Sequence, residues 1–287
     1  MLFFGTEEFS AAILQGLLDN GFSVDAVITK PDSASGRGQK IIAPAVKTIA
    51  IENNITVLQP ARLIDSVESI KSLNASAAVL ASYGNIIPQA VLDLFDIINV
   101  HPSLLPKYRG ASPIESAILH GDIETGVSIM KLVAAMDAGP VYAQSTVALS
   151  GDEYVEELYE RLANEGVALL KQHLPAILDG SLKPTPQTGE PVYCSKISKG
   201  NGLIDTHKTA VELERQIRAY HRWPQSRTSI NDIEVIITKA HVEESSISHD
   251  PWKIPTSEGF LAVDALKPVG KKEMPIQAFL AGYHSQL

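Results

Sequence analysis

The sequence predicts an α/β protein: a mostly parallel sheet domain, then a linker, then a small β-barrel. Three observations support this. Short apolar runs alternate with helix-like segments through the first two thirds of the 287 residues. Near Thr125 the pattern turns to two antiparallel strands and a long helix, and a stretch rich in Pro, Gly, Ser and Thr, Ser181 to Asn201, separates off a tail of short strand-like runs. A β-α-β-α rhythm builds a parallel sheet covered by helices, whereas regularly spaced short strands with turn residues between them suit a barrel.

The elements follow in order. Leu2-Phe3-Phe4 reads as a strand, Thr6 to Leu18 as a helix capped at Thr6, and Val24 to Thr29 as a second strand. Ala45 to Asn53 reads as a helix, Ile55 to Leu58 as a strand, and Ala77 to Leu80 as another. A helix-like Pro88 to Phe95 precedes the strand Ile97 to Val100. Two antiparallel strands, from Gly126 and over Val141 to Leu149, flank the turn Met136-Asp137-Ala138-Gly139-Pro140. A long amphipathic helix runs from about Glu153 to Leu178 and ends at Gly180. The linker carries one short strand near Val192, and the tail opens on a helix, Thr209 to His221, stopped by Trp223-Pro224. Strand-like runs at Val235 to Thr238 and Phe260 to Val263 follow. The expected division is a Rossmann-like domain at 1–180, a linker at 181–204 and an OB-like domain at 205–287.

Composition narrows the function. Hydrophobic residues are 45% and charged residues 20%, ordinary for a soluble globular chain. No apolar run approaches the roughly 20 residues of a membrane span, and Glu7 and Glu8 stand where a secretory leader carries positive charge. The single cysteine, Cys194, excludes a disulfide framework or a cysteine-rich metal site, so a cytoplasmic protein is expected. A net charge of −9 argues against broad nucleic-acid binding, which rests on phosphate neutralisation. The acidity belongs to the first 204 residues; the tail is near neutral.

The chemistry concentrates after the strand ending at Val100. Side chains alternate along a strand, so Asn99 and His101 project to one side, at the end where parallel sheets bind their ligands. An amide donor beside an imidazole suits a developing oxyanion. Asp137, in its turn, would orient His101 and favour its charged form if the turn folds over the strand end. The plainer reading gives Asp137 only the backbone hydrogen bonds common to turn aspartates. Gly5-Thr6-Glu7-Glu8-Phe9 is not a dinucleotide fingerprint, no phosphate loop occurs, and the other seven histidines lack metal-ligand spacing.

Asn99-Val100-His101-Pro102-Ser103-Leu104-Leu105-Pro106, with Asp137 some forty residues on, resembles the formyltransferases that use 10-formyltetrahydrofolate. The likeness spans nearly the whole chain. Lys30-Pro31-Asp32, Gly36-Arg37-Gly38, Ala81-Ser82-Tyr83-Gly84, Tyr108-Arg109-Gly110-Ala111 and the tail with Trp223-Pro224 point to the branch acting on tRNA. The resemblance implies a formyltransferase fold and a catalytic set of Asn99, His101 and Asp137. It also implies a donor site at Ser103, Leu104, Leu105 and Pro106, with Tyr83 and Gly84 lining it, and no metal. The implied acceptor is initiator methionyl-tRNA, met by a monomer through the loop Pro31 to Lys40 with Arg37 leading and Lys40 behind. Arg215, Arg218 and Arg222 at helical spacing, and Lys271 with Lys272, are candidate phosphate contacts in the tail. The Gly and Ser content of the 31–40 loop predicts mobility. Alternatives are the same transfer to an amino sugar nucleotide or to glycinamide ribonucleotide, or a silent folate- or tRNA-binding protein.

Overall fold

The computed structural model describes residues 1–35, 40–230, 233–244 and 252–283. Arg37 and its glycine neighbours lie outside them. In chain order come β1 (Leu2–Gly5), α1 (Glu8–Asp19), β2 (Ala26–Ile28), β3 (Ser33–Ser35), β4 (Lys40–Ile42), α2 (Ala45–Glu52), β5 (Thr56–Leu58), α3 (Val67–Ser72), β6 (Ala77–Ala81), α4 (Gln89–Leu92) and β7 (Asp96–His101). There follow β8 (Arg109–Gly110), α5 (Pro113–His120), β9 (Glu124–Lys131), β10 (Val141–Ala148), α6 (Val155–Leu178) and β11 (Tyr193–Cys194). The chain closes with α7 (Ala210–Ala219), β12 (Ser226–Ile230), β13 (Ile233–Glu243), β14 (Lys253–Pro255), β15 (Phe260–Pro268), β16 (Met274–Pro275) and α8 (Ile276–Gly282).

Two compact units result. The first comprises Met1–Pro113, Thr125–Ala148 and Tyr159–Cys194; the second comprises Ile114–Glu124, Leu149–Leu158 and Ser195–Leu287. In the first, a seven-stranded sheet has the order β10-β9-β7-β6-β1-β2-β5. The pairs from β7 to β5 are parallel, and β9 joins β7 antiparallel. β1, β2, β6 and most of β7 are buried apolar runs because helices cover both faces of a parallel sheet. One face packs Leu2, Phe4, Ile28, Leu80 and Ile97 around the buried Tyr83 ring.

Two local expectations change. The α1 helix begins at Glu8 with Glu7 at its cap position and no side-chain cap. Thr6 does not cap it: its hydroxyl donates to the Tyr83 carbonyl at 2.8 Å, and its N–H is taken by the Ser10 hydroxyl at 2.8 Å. Second, part of the stretch 31–40 expected as a loop is an antiparallel ribbon, Ser33 pairing Ile42 and Ser35 pairing Lys40, while the mobility expected at its tip falls on residues 36–39, outside the described residues.

In the second unit, β12-β13-β15-β14 form an antiparallel sheet with β16 added to β15. Its core gathers Leu213 and Ile217 of α7, Val235, Ile237, Leu261, Val263 and Leu266 of the sheet, and Phe279 of α8. The α7 helix starts where the sequence places it, and Thr209 caps it: its hydroxyl accepts from the Glu212 N–H, and the Glu212 carboxylate takes the Thr209 N–H at 2.8 Å.

The arginines of α7 divide. Arg218, expected among phosphate contacts, is buried with 6% of its surface exposed. Its guanidinium donates to both Glu214 oxygens at 2.6 and 2.8 Å and to the Glu153 carbonyl at 3.0 Å. Its charge is therefore engaged inside the unit, where a desolvated cation needs a carboxylate. Arg215 reaches the His120 carbonyl at 3.4 Å, whereas Arg222, Lys271 and Lys272 are exposed. Arg218→Met is expected to lower stability by about 2–3 kcal/mol, because Glu214 loses its partner in a largely desolvated site. Arg222→Met should stay within about 0.5 kcal/mol, as surface changes do. Urea unfolding of the two variants checks this; equal midpoints would contradict it.

Candidate active site

β7 carries the site because its two sheet neighbours hold its end in register. Leu80 of β6 pairs Asn99, and Ser128 of β9 pairs His101. Asn99 and His101 are both 5% exposed, on one side of the strand. The turn after β9 brings Asp137 to them. Its Oδ1 lies 3.4 Å from Asn99 Nδ2 and 3.8 Å from His101 Nδ1, while its Oδ2 accepts the Gly110 N–H at 2.8 Å. Asp137 sits at φ 45°, a left-handed conformation that aspartate tolerates better than most residues. The three side chains selected from the sequence converge.

His101 Nε2 lies 2.9 Å from the Tyr108 carbonyl. A carbonyl only accepts, so Nε2 carries the proton, and Nδ1, facing Asp137, is the nitrogen left to gain or lose one.

The loop after β7 is stapled more firmly than its prolines alone require. Ser103 N–H bonds the His101 carbonyl at 2.9 Å, and the Ser103 hydroxyl donates to the Lys107 carbonyl. Ser128 donates to the Ser103 carbonyl at 2.6 Å and accepts the Leu105 N–H at 3.1 Å. Gln144 donates to Ser128 and to the Leu105 carbonyl. These contacts bury Ser103 completely and Leu105 to 5% exposure, leaving Leu104 and Pro106 half-buried. The side chains of Ser103 and Leu105 thus shape the loop from inside, and the apolar wall expected from the sequence reduces to Leu104 and Pro106.

Tyr83 also departs from expectation. It is 1% exposed and packs edge-on to Phe4 with ring centroids 5.6 Å apart, so its ring belongs to the core, and burial pushes its phenol above the usual tyrosine range. A ring held in the core does not line a ligand site. Gly84, Asn85 and Ile86, next along the chain, are exposed, Ile86 by 88%. A cleft of about 510 Å³ opens beyond β1, β2 and β6, lined by Thr6, Lys30, Asp32, Pro44, Ala61 and Asn85 among others. The Gln59 amide, and after it the Lys47 ammonium, bond the Asp32 carboxylate and hold it below the usual range.

Tyr108 belongs to a motif, but it reaches His101 through its carbonyl. Several other residues at the site carry no motif of their own: Ser128 and Gln144 act from neighbouring strands, and Gln187 lies in the expected linker. β11 in that same stretch pairs parallel with β8, Tyr193 with Arg109 and Cys194 with Gly110. Among the described residues no group of three or more His, Cys, Asp or Glu is arranged to hold a metal, and no helix is long and apolar enough to cross a membrane.

Residues 1–174 match the formyl transferase family, and residues 196–284 match the formyl transferase C-terminal domain. The chain belongs to the formyl transferase family. A methionyl-tRNA formyltransferase of Myxococcus xanthus is 38% identical over 296 residues, which cover 99% of this chain and 95% of that protein. An N-formyltransferase from Helicobacter canadensis, solved with folinic acid and dTDP-3-aminofucose, has the same fold: TM-score 0.67 at 23% identity, covering 92% of this chain and 99% of that one. HypX from Aquifex aeolicus, solved with tetrahydrofolic acid, gives a TM-score of 0.69 at 17% identity; the match covers 98% of this chain and about half, 47%, of HypX. For this formyl transferase, the site at the end of β7 is the place to look for the transfer chemistry.

Proposed function

We propose that this enzyme transfers the formyl group of 10-formyltetrahydrofolate to the α-amino group of methionyl-initiator tRNA, as a cytoplasmic monomer. The observation that carries the mechanism is the convergence of Asn99, His101 and Asp137 at the end of β7. The acceptor is supported by relatives that match along nearly their whole length and bear the name methionyl-tRNA formyltransferase. The folate donor is supported by family membership and by fold neighbours solved with tetrahydrofolic and folinic acids.

The chemistry follows from the contacts. The neutral amine attacks the formyl carbon, forming a new C–N bond, and the formyl oxygen becomes negative. Asn99 Nδ2 makes one long contact to Asp137 and has a second N–H for that oxygen. His101, its Nε2 fixed on the Tyr108 carbonyl, presents Nδ1 to the same region and, when protonated there, offers a second N–H to that oxygen. One donor of this kind typically contributes about 3 kcal/mol to barrier lowering. Asp137 is anchored through Oδ2, so Oδ1 is the oxygen positioned to take the proton released by the new C–N bond. That proton ends on N10 of the folate as the C–N10 bond breaks. Leu104, Pro106 and Gly84 flank the donor in this reading, and Arg37, Lys40, Arg215, Arg222, Lys271 and Lys272 remain candidates for the tRNA.

The test is formyl transfer to initiator tRNA charged with methionine, beside uncharged tRNA and an amino sugar nucleotide. Transfer to the charged tRNA alone is expected. Transfer to the sugar amine instead would replace the acceptor, and no transfer to any amine would leave a silent binding protein.

A further inference from the structure

The two family matches leave residues 175–195 between them, yet this stretch reaches the catalytic cluster. Gln187 is half-buried on an otherwise exposed run. Its Nε2 donates to the carbonyls of Asp137 at 2.7 Å and Gly139 at 2.8 Å. Its Oε1 accepts from Arg109 Nε at 3.1 Å and Nη2 at 2.6 Å. The amide has only one possible orientation, because carbonyls only accept and a guanidinium only donates.

These bonds close a ring around Asp137. Its carboxylate is held by the Gly110 N–H, and its carbonyl is held through Gln187 by the side chain of Arg109, the adjacent residue. Arg109 is itself fixed, its N–H bonding the Val192 carbonyl at 2.9 Å. A residue in the left-handed region persists there only when its surroundings over-determine it, and Gln187 supplies the bond to the strained peptide.

We propose that Gln187 is a positioning residue for the reaction: it holds the Asp137 turn so that Oδ1 stays between Asn99 and His101. The inference rests on the role given to Asp137 above. Gln187 touches no reacting atom, so its loss acts on turnover through the placement of Asp137.

Gln187→Met fills the space without hydrogen bonds. Gln187→Glu keeps and strengthens the Arg109 pair but turns acceptors toward two carbonyls. Both are expected to lower kcat about 10- to 100-fold, the scale of a displacement of about 1 Å in a catalytic group. KM for folate and for charged tRNA should stay within about threefold, because neither substrate's binding groups move. In an Asp137→Asn background, measured by single turnover with excess enzyme, Gln187→Met should cause no further loss.

A Gln187→Glu enzyme with full activity would reduce Gln187 to a tie for Arg109 and overturn the proposal. So would an unchanged factor for Gln187→Met in the Asp137→Asn background, which would mark a general structural effect. Should Gln187→Met melt early, Gln187→Glu carries the test alone. Full activity in Asp137→Asn itself would instead remove the role of Asp137, a failure of the functional reading distinguishable from failure of the inference.

Discussion

His101→Ala and Asn99→Ala are each expected to lower kcat about 10²- to 10³-fold, the usual loss when one preorganised donor to an oxyanion is removed. Both side chains are buried at the end of a strand whose register is fixed on either side. Removal therefore leaves no flexible neighbour to replace the donor. KM for either substrate should change little, since the interaction strengthens as charge develops on the oxygen. Asn99→Asp sharpens the test. It is nearly isosteric, but it removes the amide donor and sets a second carboxylate beside Asp137, whose Oδ1 is 3.4 Å from Asn99 Nδ2. Like charges at that distance disfavour ionisation of both groups. The loss should therefore exceed that of Asn99→Ala, the smaller change in charge though the larger change in size. Initial rates of formyl-methionyl-tRNA formation, with far-ultraviolet circular dichroism to verify folding, decide this. Near-normal turnover in folded His101→Ala would sink the mechanism.

Gly110→Ala is expected to reduce kcat about 100-fold while touching no substrate group. Gly110 has φ 126°, and a Cβ there would lie 2.2 Å from the Cys194 carbonyl oxygen. Neither backbone can yield locally, because β8 pairs β11 and the Cys194 carbonyl receives the Ala111 N–H at 3.4 Å. The strands must part, and the Gly110 N–H moves away from Asp137 Oδ2. Stability should fall as well, because the backbone conformation is one that a Cβ disfavours. A melting curve measured beside the kinetics separates the two effects: turnover should be depressed even at temperatures where the variant is fully folded. A folded Gly110→Ala with normal kcat would show that Asp137 does not depend on this bond.

The legible part of this protein was the part written in local pattern. The β1, β2, β6 and β7 runs stand out because a strand buried on both faces must be apolar throughout. The tail helix was legible from Thr209 on, and its cap partner Glu212 lies within one turn of that start. Thr6 looked equally like a cap, but its hydroxyl was claimed by Tyr83, a residue far along the chain. Tyr83 and Arg218 show the same limit. An aromatic beside a glycine at a strand end reads as a ligand wall, and three arginines at helical spacing read as a phosphate face. Which of them turns inward depends on what packs opposite: Phe4 for the one, Glu214 and the Glu153 carbonyl for the other.

By itself, then, the sequence determined the mostly parallel sheet, a small separate β domain in the tail, and Asn99 and His101 on one face of a strand end, since alternation along a strand needs no knowledge of the rest of the chain. Asp137 stood as a candidate partner from its turn, and the resemblance of the motifs added its membership of the catalytic set and the reaction class. Tertiary structure alone decided that Asp137 hangs between the Gly110 N–H and the Gln187 amide, and that Tyr108 fixes the His101 tautomer through a carbonyl. Backbone groups are the same at every position, and hydrogen bonds across fifty residues leave no periodicity behind. Those parts of the site became visible only once the chain had folded.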